Sequence, residues 1–207
     1  MVSIEKWLPL VFLGVAGVPD PVARQYIALA LNEFATDTFA FQRTIRLDIE
    51  AGVVDYYFAD QIDDSVEVLA LMRYQRDRFT YTPPIPAEAR CLLGRDNWSD
   101  VYDPVQRMLR LAWKPTEPHP GGLLLTLAIA PTPDATMVDD AAWKLHSQAI
   151  LEGVQSKLYA LPNYPWTSLS AARQHNLAYA AFVNAAKTMS TMNLSTGRIQ
   201  LRRRGAL

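Results

Sequence analysis

Apolar and polar positions alternate along the chain first with a helical period, then with a strand period, then with a helical one again. In "GVPDPVARQYIALALNEFATDTFAF", Ile27, Ala30, Phe34 and Phe41 fall at spacings of 3, 4 and 7, the stripe of an amphipathic helix. Asp20 precedes it as a candidate cap, and Pro21 at the first helical position loses nothing by lacking an N–H. The spacing predicts a helix from about Pro21 to Phe39. From Thr44 the period becomes two: Ile45, Leu47 and Ile49 alternate with Arg46, Asp48 and Glu50, as in a half-buried strand. "VVDYYF", "VEVLALMRY" and "RFTYT" keep the β-branched and aromatic composition of strands. The link Ala51-Gly52 is short enough for a hairpin. "PPIPAEARCLLG" opens on prolines and has room for one helical turn, while "RMLRLAWK" and "LLLTLAIAP" read as a strand pair across the turn-rich "PTEPHPGG".

Helical spacing returns in "DATMVDDAAWKLHSQAILEGVQSKLYAL". Trp143, Ile150, Val154, Leu158 and Leu161 share a face, Asp139 or Asp140 can cap it, and Pro162 and Pro165 stop it. A last helix follows "NYPWTS", with Ser168 as candidate cap and Ala178, Phe182, Ala185 and Met189 as its apolar stripe. Seven alanines between Ala171 and Ala186 let it approach its neighbours closely. None of the three helices can bury its stripe alone, so they pack most simply on one another. The expected class is α+β: a helical bundle of one N-terminal and two C-terminal helices, an inserted antiparallel β module and an extended C-terminal tail. The expected boundaries are an N-terminal apolar arm at 1–19, the bundle at 20–43 and 132–192, the β module at 44–131 and a basic docking tail at 193–207.

The arm contains twelve uncharged residues from Trp7 to Val18, "WLPLVFLGVAGV". That is short of the ~20 residues a membrane-spanning helix needs. Lys6 ahead of it and "VAG" near its end outline a secretory signal, but Pro9, Gly14, Gly17 and Pro19 break a helical core there. The reading adopted is an arm that packs on the same or a neighbouring subunit, with no membrane role.

Charge divides the chain. The formal net charge is −1, yet no Asp or Glu follows Glu152. The last 55 residues hold Lys157, Arg173, Lys187, Arg198, Arg202, Arg203 and Arg204, so the first 152 carry all 21 acids. Seven of these acids, Asp48, Glu50, Asp55, Asp60, Asp63, Asp64 and Glu67, fall in one stretch with no Lys or Arg between them. They could supply carboxylates to a metal, but spacing of this kind on strands is the pattern of a solvated face. They are therefore candidates for an acidic channel lining or an exposed face.

No sequence pattern of a catalytic or cofactor site is present. His119, His146 and His175 lie in separate segments, and no HExxH, CxxC, GxSxG or glycine-rich phosphate loop occurs. His146 and His175 read as surface or core-edge residues on helices. Cys91, the single cysteine, reads as a small buried apolar residue, fits a reducing compartment and can form no internal disulfide. The expectation is a non-enzyme without cofactor or metal.

The tail "TGRIQLRRRGAL" admits three readings: a solvated terminus, a phosphate-neutralising arm for nucleic acid, or an insert for an acidic groove of a partner protein. In "RIQLR", Ile199 and Leu201 alternate with Arg198, Gln200 and Arg202, which is strand period. A terminal strand with no hairpin partner pairs elsewhere, and strand addition to a partner sheet fits that need. The acidic body, without interleaved aromatic and basic residues, argues against nucleic acid.

Three segments resemble, in order, parts of the head-to-tail adaptor (connector) proteins of tailed bacteriophages, especially the short-tailed type. "VARQYIALALNEFATDTFAF" resembles the family's first helix, with Glu33-Phe34 followed by Thr38 and an aromatic. "DATMVDDAAWKLHSQAILEGVQSKLYALPNYPW" resembles its long helix, closed by a Pro-x-x-Pro-Trp turn, and "AARQHNLAYAAFVNAAKT" resembles the final helix before a basic extension. The family's small residue after the Gly is here Val154-Gln155, and the N-terminal arm is longer. The resemblance implies a virion protein assembled in the host cytoplasm: a ring, commonly twelvefold, under the portal protein. A tail nozzle or tail tube protein lies below it, and genomic DNA crosses its channel without sequence-specific binding. It implies that the tail, through Arg198, Ile199, Leu201, Arg202, Arg203 and Arg204, docks the portal. The alternatives are a nucleic-acid-binding protein using that tail, or a tail-completion or stopper protein.

Overall fold

A computed structural model describes residues 1–76, 79–81, 85–86, 101–103, 105–112 and 114–195. The fold is α+β. The N-terminal residues form a two-residue strand, β1 (Val2–Ser3), a 3-10 turn (Ile4–Trp7) and a short helix, α1 (Leu8–Gly14). The sequence reading took Pro9 and Gly14 as breakers here. Pro9 is tolerated because it stands in the first turn, where no intrahelical donor is required, and Gly14 marks the end. Trp7, Val11, Val15 and Val18 turn inward and are buried in the chain's own core.

Helix α2 (Asp20–Thr38) follows extended Pro19. Asp20 does not cap it: its carboxylate reaches one turn on to Arg24, which also pairs with Glu5 of the 3-10 turn. The C-terminus closes as Thr38 Oγ1 donates to the Phe34 carbonyl at 2.6 Å and Phe39 turns left-handed at φ 51°. Ile27, Ala30 and Phe34 are buried as their spacing predicted, joined by Ala23, Leu31 and Ala35.

The middle of the chain builds two four-stranded sheets. The first is ordered β2 (Gln42–Ile49), β9 (His119–Pro131), β4 (Val66–Arg76), β5 (Phe79–Tyr81); the second is β3 (Asp55–Tyr57), β8 (Met108–Arg110), β7 (Val101–Asp103), β6 (Ile85–Pro86). The pairing differs from both local expectations. Ala51-Gly52 makes no hairpin: β2 pairs with β9, Ile45 opposite Leu125, and β3 pairs with β8, Tyr56 opposite Leu109. Gly52, at φ 86°, donates its N–H to the Pro115 carbonyl and carries the chain from one sheet to the other. Nor do β8 and β9 pair. The thirteen-residue β9 buries Leu123, Leu125 and Leu127 completely, so it takes the centre of the larger sheet with a partner on each side. The sheets are antiparallel except for β6 and β7, which run parallel. An Arg110–Asp55 ion pair of 2.5 Å clips β8 to β3.

Two long helices close the chain: α3 (Asp140–Ala160), preceded by β10 (Met137–Val138), and α4 (Leu169–Ser195). β10 pairs with β1, Val2 opposite Val138, and the Met1 amine meets Asp140 at 3.2 Å. In the α3–α4 turn, Ser168 Oγ accepts from the Ala171 N–H, as its capping assignment anticipated. The helices approach closely at Gly153, where a Cβ would stand 3.0 Å from the Tyr179 ring. Lys157 meets Glu33 at 2.6 Å and ties α3 to α2.

The orientation of α4 departs from the reading of its stripe. Its buried residues are Ala172, Val183, Ala186 and Ser190, while Phe182 and Met189 are 40% and 62% exposed. The fit of Tyr179 over Gly153 sets this rotation, so the stripe of Ala178, Phe182, Ala185 and Met189 lies along the margin of the packed face. One apolar core runs without interruption through the N-terminal residues, the helices and the first sheet, and on to Phe58, Tyr102 and Leu109 beside and in the second.

Candidate docking surfaces

The six tail residues singled out in the sequence, Arg198, Ile199, Leu201, Arg202, Arg203 and Arg204, lie outside the described residues, as does Cys91. Their mount is described. Helix α4 has 27 residues, about 40 Å at 1.5 Å per residue. It contains no acid; its charges are Arg173 and Lys187. Its C-terminal carbonyls carry the negative end of the helix dipole.

The seven acids are not gathered into one site. Asp48 Oδ1 accepts the Gly121 N–H. Asp55 is gripped by two Arg110 nitrogens at 2.5 and 2.9 Å, and those hydrogen bonds hold its carboxyl below the usual range. Asp63 Oδ1 accepts from the Ser65 N–H at 2.8 Å, and that bond lowers its carboxyl. Glu50, Asp60, Asp64 and Glu67 are exposed on four separate stretches of strand, turn and loop. Among the described residues, no group of three or more His, Cys, Asp or Glu is placed to hold a metal ion.

The histidines are equally dispersed. His119 is exposed at the start of β9. His146 lies half-buried with its ring 5.0 Å from Phe34 and 6.0 Å from Phe41, and burial lowers its pKa. His175 Nδ1 meets Glu152 Oε2 at 2.7 Å and its ring stacks on Tyr159 at 5.5 Å. Gln148 donates to the other Glu152 oxygen at 2.7 Å, and the Tyr159 hydroxyl donates to the Gly14 carbonyl at 2.6 Å. The cluster ties α3 to α4 and α1 to α3. The sequence reading missed the Glu152–His175 pair, because residues 23 apart become neighbours only once the register of the helical hairpin is known.

The rotation of α4 leaves a groove of about 310 Å³ between α4, the first half of α3 and the start of β2. Phe41, Leu145, Phe182, Ala185 and Met189 make it apolar; Gln42, Asp139 and Gln148 add polar atoms. Leu145 is 73% exposed beside it. The sequence offered a signal for this surface, the 178–182–185–189 stripe, but its spacing is also that of a core face.

No protein-family model matches the chain, and no curated protein is similar to it. Among the described residues, no helix is long and apolar enough to cross a membrane.

Proposed function

We propose that the protein is a structural component of a phage virion, a head-to-tail adaptor whose copies form a ring between portal and tail. The observation that carries this reading is the acid-free helix α4, which leads at the end of a packed helical hairpin into the arginine-rich segment 198–204. In this reading the helices form the ring body, the β module contributes contacts toward the tail or the periphery, and Arg198, Ile199, Leu201, Arg202, Arg203 and Arg204 enter an acidic groove of the portal, where guanidinium forks pair with carboxylates. The ring has twelve subunits, a tail nozzle or tail tube protein binds below, and DNA crosses the channel without sequence-specific contacts. The protein performs no catalysis.

The test is deletion of residues 196–207. The shortened chain keeps its melting temperature and loses co-sedimentation with portal rings, and so does a variant with the four tail arginines changed to Gln. Undiminished joining to portal by both variants would overturn the proposal. The same tail supports the second reading, a nucleic-acid-binding arm. Filter binding to duplex DNA at physiological salt, falling steeply with added salt and abolished by the deletion, favours that reading instead. A tail-completion or stopper protein shares the physics and differs in its neighbours, so co-sedimentation with tail rather than portal identifies it.

A further inference from the structure

Strand β2 is the outermost strand of the first sheet, and among the described residues no strand pairs with its open edge. The direction of its backbone groups follows from its register. The Ile129 N–H donates to the Phe41 carbonyl, and the pairs continue as Arg43–Leu127, Ile45–Leu125 and Leu47–Leu123. Odd-numbered residues therefore bond to β9, and the N–H and C=O groups of Thr44 and Arg46 point to the open side. Eight residues long and without proline, this edge is a template for a further strand. Its side chains alternate as well. Thr44, Arg46, Asp48 and Glu50 are exposed, Ile45 and Ile49 are buried, and Arg43 and Leu47 are half-buried.

One segment of the chain has the matching pattern. In "TGRIQLRRRGAL", Ile199 and Leu201 alternate with Arg198, Gln200 and Arg202. The segment follows α4, whose Met189 and Ser190 line the same groove as Phe41 and Gln42, so the tail is delivered near the start of β2. Beyond Ser190 the rest of α4 adds about 7.5 Å, and three extended residues from Ser195 to Arg198 cover about 10 Å.

Entry at that end makes an added strand parallel to β2. With Ile199 beside Ile45, Leu201 stands beside the half-buried Leu47 and covers it. Neutral Gln200 then stands beside Arg46, Arg202 beside Asp48 and Arg204 beside Glu50, so two arginines meet two exposed acids. Asp48 gives its Oδ1 to the Gly121 N–H and has its second oxygen for Arg202. The antiparallel arrangement that keeps the apolar match sets Arg203 beside Arg43 and leaves a single opposite-charge pair, Arg198 with Asp48.

We propose that, in the free subunit, residues 198–204 lie as a parallel strand on the outer edge of the chain's own β2 and extend the first sheet to five strands. The inference concerns the free subunit and stands apart from the portal reading. Where both hold, the portal displaces the strand, because each placement uses the same backbone groups of the tail.

The experiment is amide hydrogen exchange, followed by NMR, on the full chain and on a chain ending at Ser195. The Thr44 and Arg46 amides exchange at least tenfold faster in the shortened chain. They do so too in full-length Leu201→Pro, which loses the N–H that faces the Arg46 carbonyl. The Ile45 and Leu47 amides, bonded to β9, are unchanged. Such a strand opens locally, below the temperature at which the core melts, so the deletion shows in exchange and not in the melting temperature. Equal rates at Thr44 and Arg46 with and without the tail would overturn the proposal. Register and chain are read from Arg46→Cys with Gln200→Cys in a Cys91→Ser background, whose melt is measured first. The expected product is a disulfide within one chain, formed at least tenfold faster than with Thr44→Cys and Gln200→Cys, whose Cα atoms would stand more than about 7 Å apart. A disulfide between two chains, or equal rates for the two cysteine pairs, contradicts the parallel placement on the chain's own edge. Neither measurement contains portal, so failure here leaves the portal reading to its own test.

Discussion

Trp7→Ala decides whether the N-terminal residues belong to the core or form a free arm. Trp7 is fully buried, packs edge-on against Trp143 at 4.9 Å and donates to the Ser147 carbonyl at 3.3 Å. A buried Trp removes roughly 200 Å² from water, which at about 25 cal/mol/Å² corresponds to ~5 kcal/mol. Alanine retains part of that burial and the denatured chain is already partly compact, so the expected cost is about 3–5 kcal/mol. In a chain of this size 1 kcal/mol moves the melting temperature by about 2–4 °C, which gives a fall of roughly 6–20 °C. The assay is a far-UV circular dichroism melt, with Leu13→Ala on the outer face of α1 as the control, expected within about 0.5 kcal/mol of wild type. A Trp7→Ala protein within about 1 kcal/mol of wild type would refute the placement of these residues in the core.

Two further outcomes are expected. Gly153→Leu drives a side chain into the Tyr179 ring that stands 3.0 Å from the position of a Cβ; the overpacking costs about 1–3 kcal/mol in urea denaturation. His146 has a folded pKa lowered by burial. Its contribution to stability is present above the unfolded value of about 6.5 and is lost as pH falls from there through the folded value. His146→Leu therefore loses less stability than wild type between about pH 8 and pH 5.5 in the same assay.

The sequence made the long helices legible because their apolar spacing is a local property. Ile27, Ala30 and Phe34 mark the buried face of α2, and Ile150, Val154 and Leu158 that of α3. Strand β2 was equally readable from the alternation of Ile45, Leu47 and Ile49. Strand pairing was not, since β9 finds β2 and β4 across long separations while Gly52 directs the chain into a different sheet. The helix α1 was obscured because Pro9 disrupts a helix interior but not a first turn. The groove was hidden by a real ambiguity: Phe182 and Met189 at helical spacing fit a core face and a docking face equally, and only the seat of Tyr179 over Gly153 separates the two.

The antiparallel α3–α4 hairpin bears on how the protein would carry a load. A pull on the chain at Ser195 runs nearly along the axis of α4. It loads the contacts with α3 lengthwise, in shear, from Ala172 to Ser190 together, so they share the stress and do not peel apart in succession. Because the core is continuous from these helices to the sheets, that stress spreads into the whole protomer.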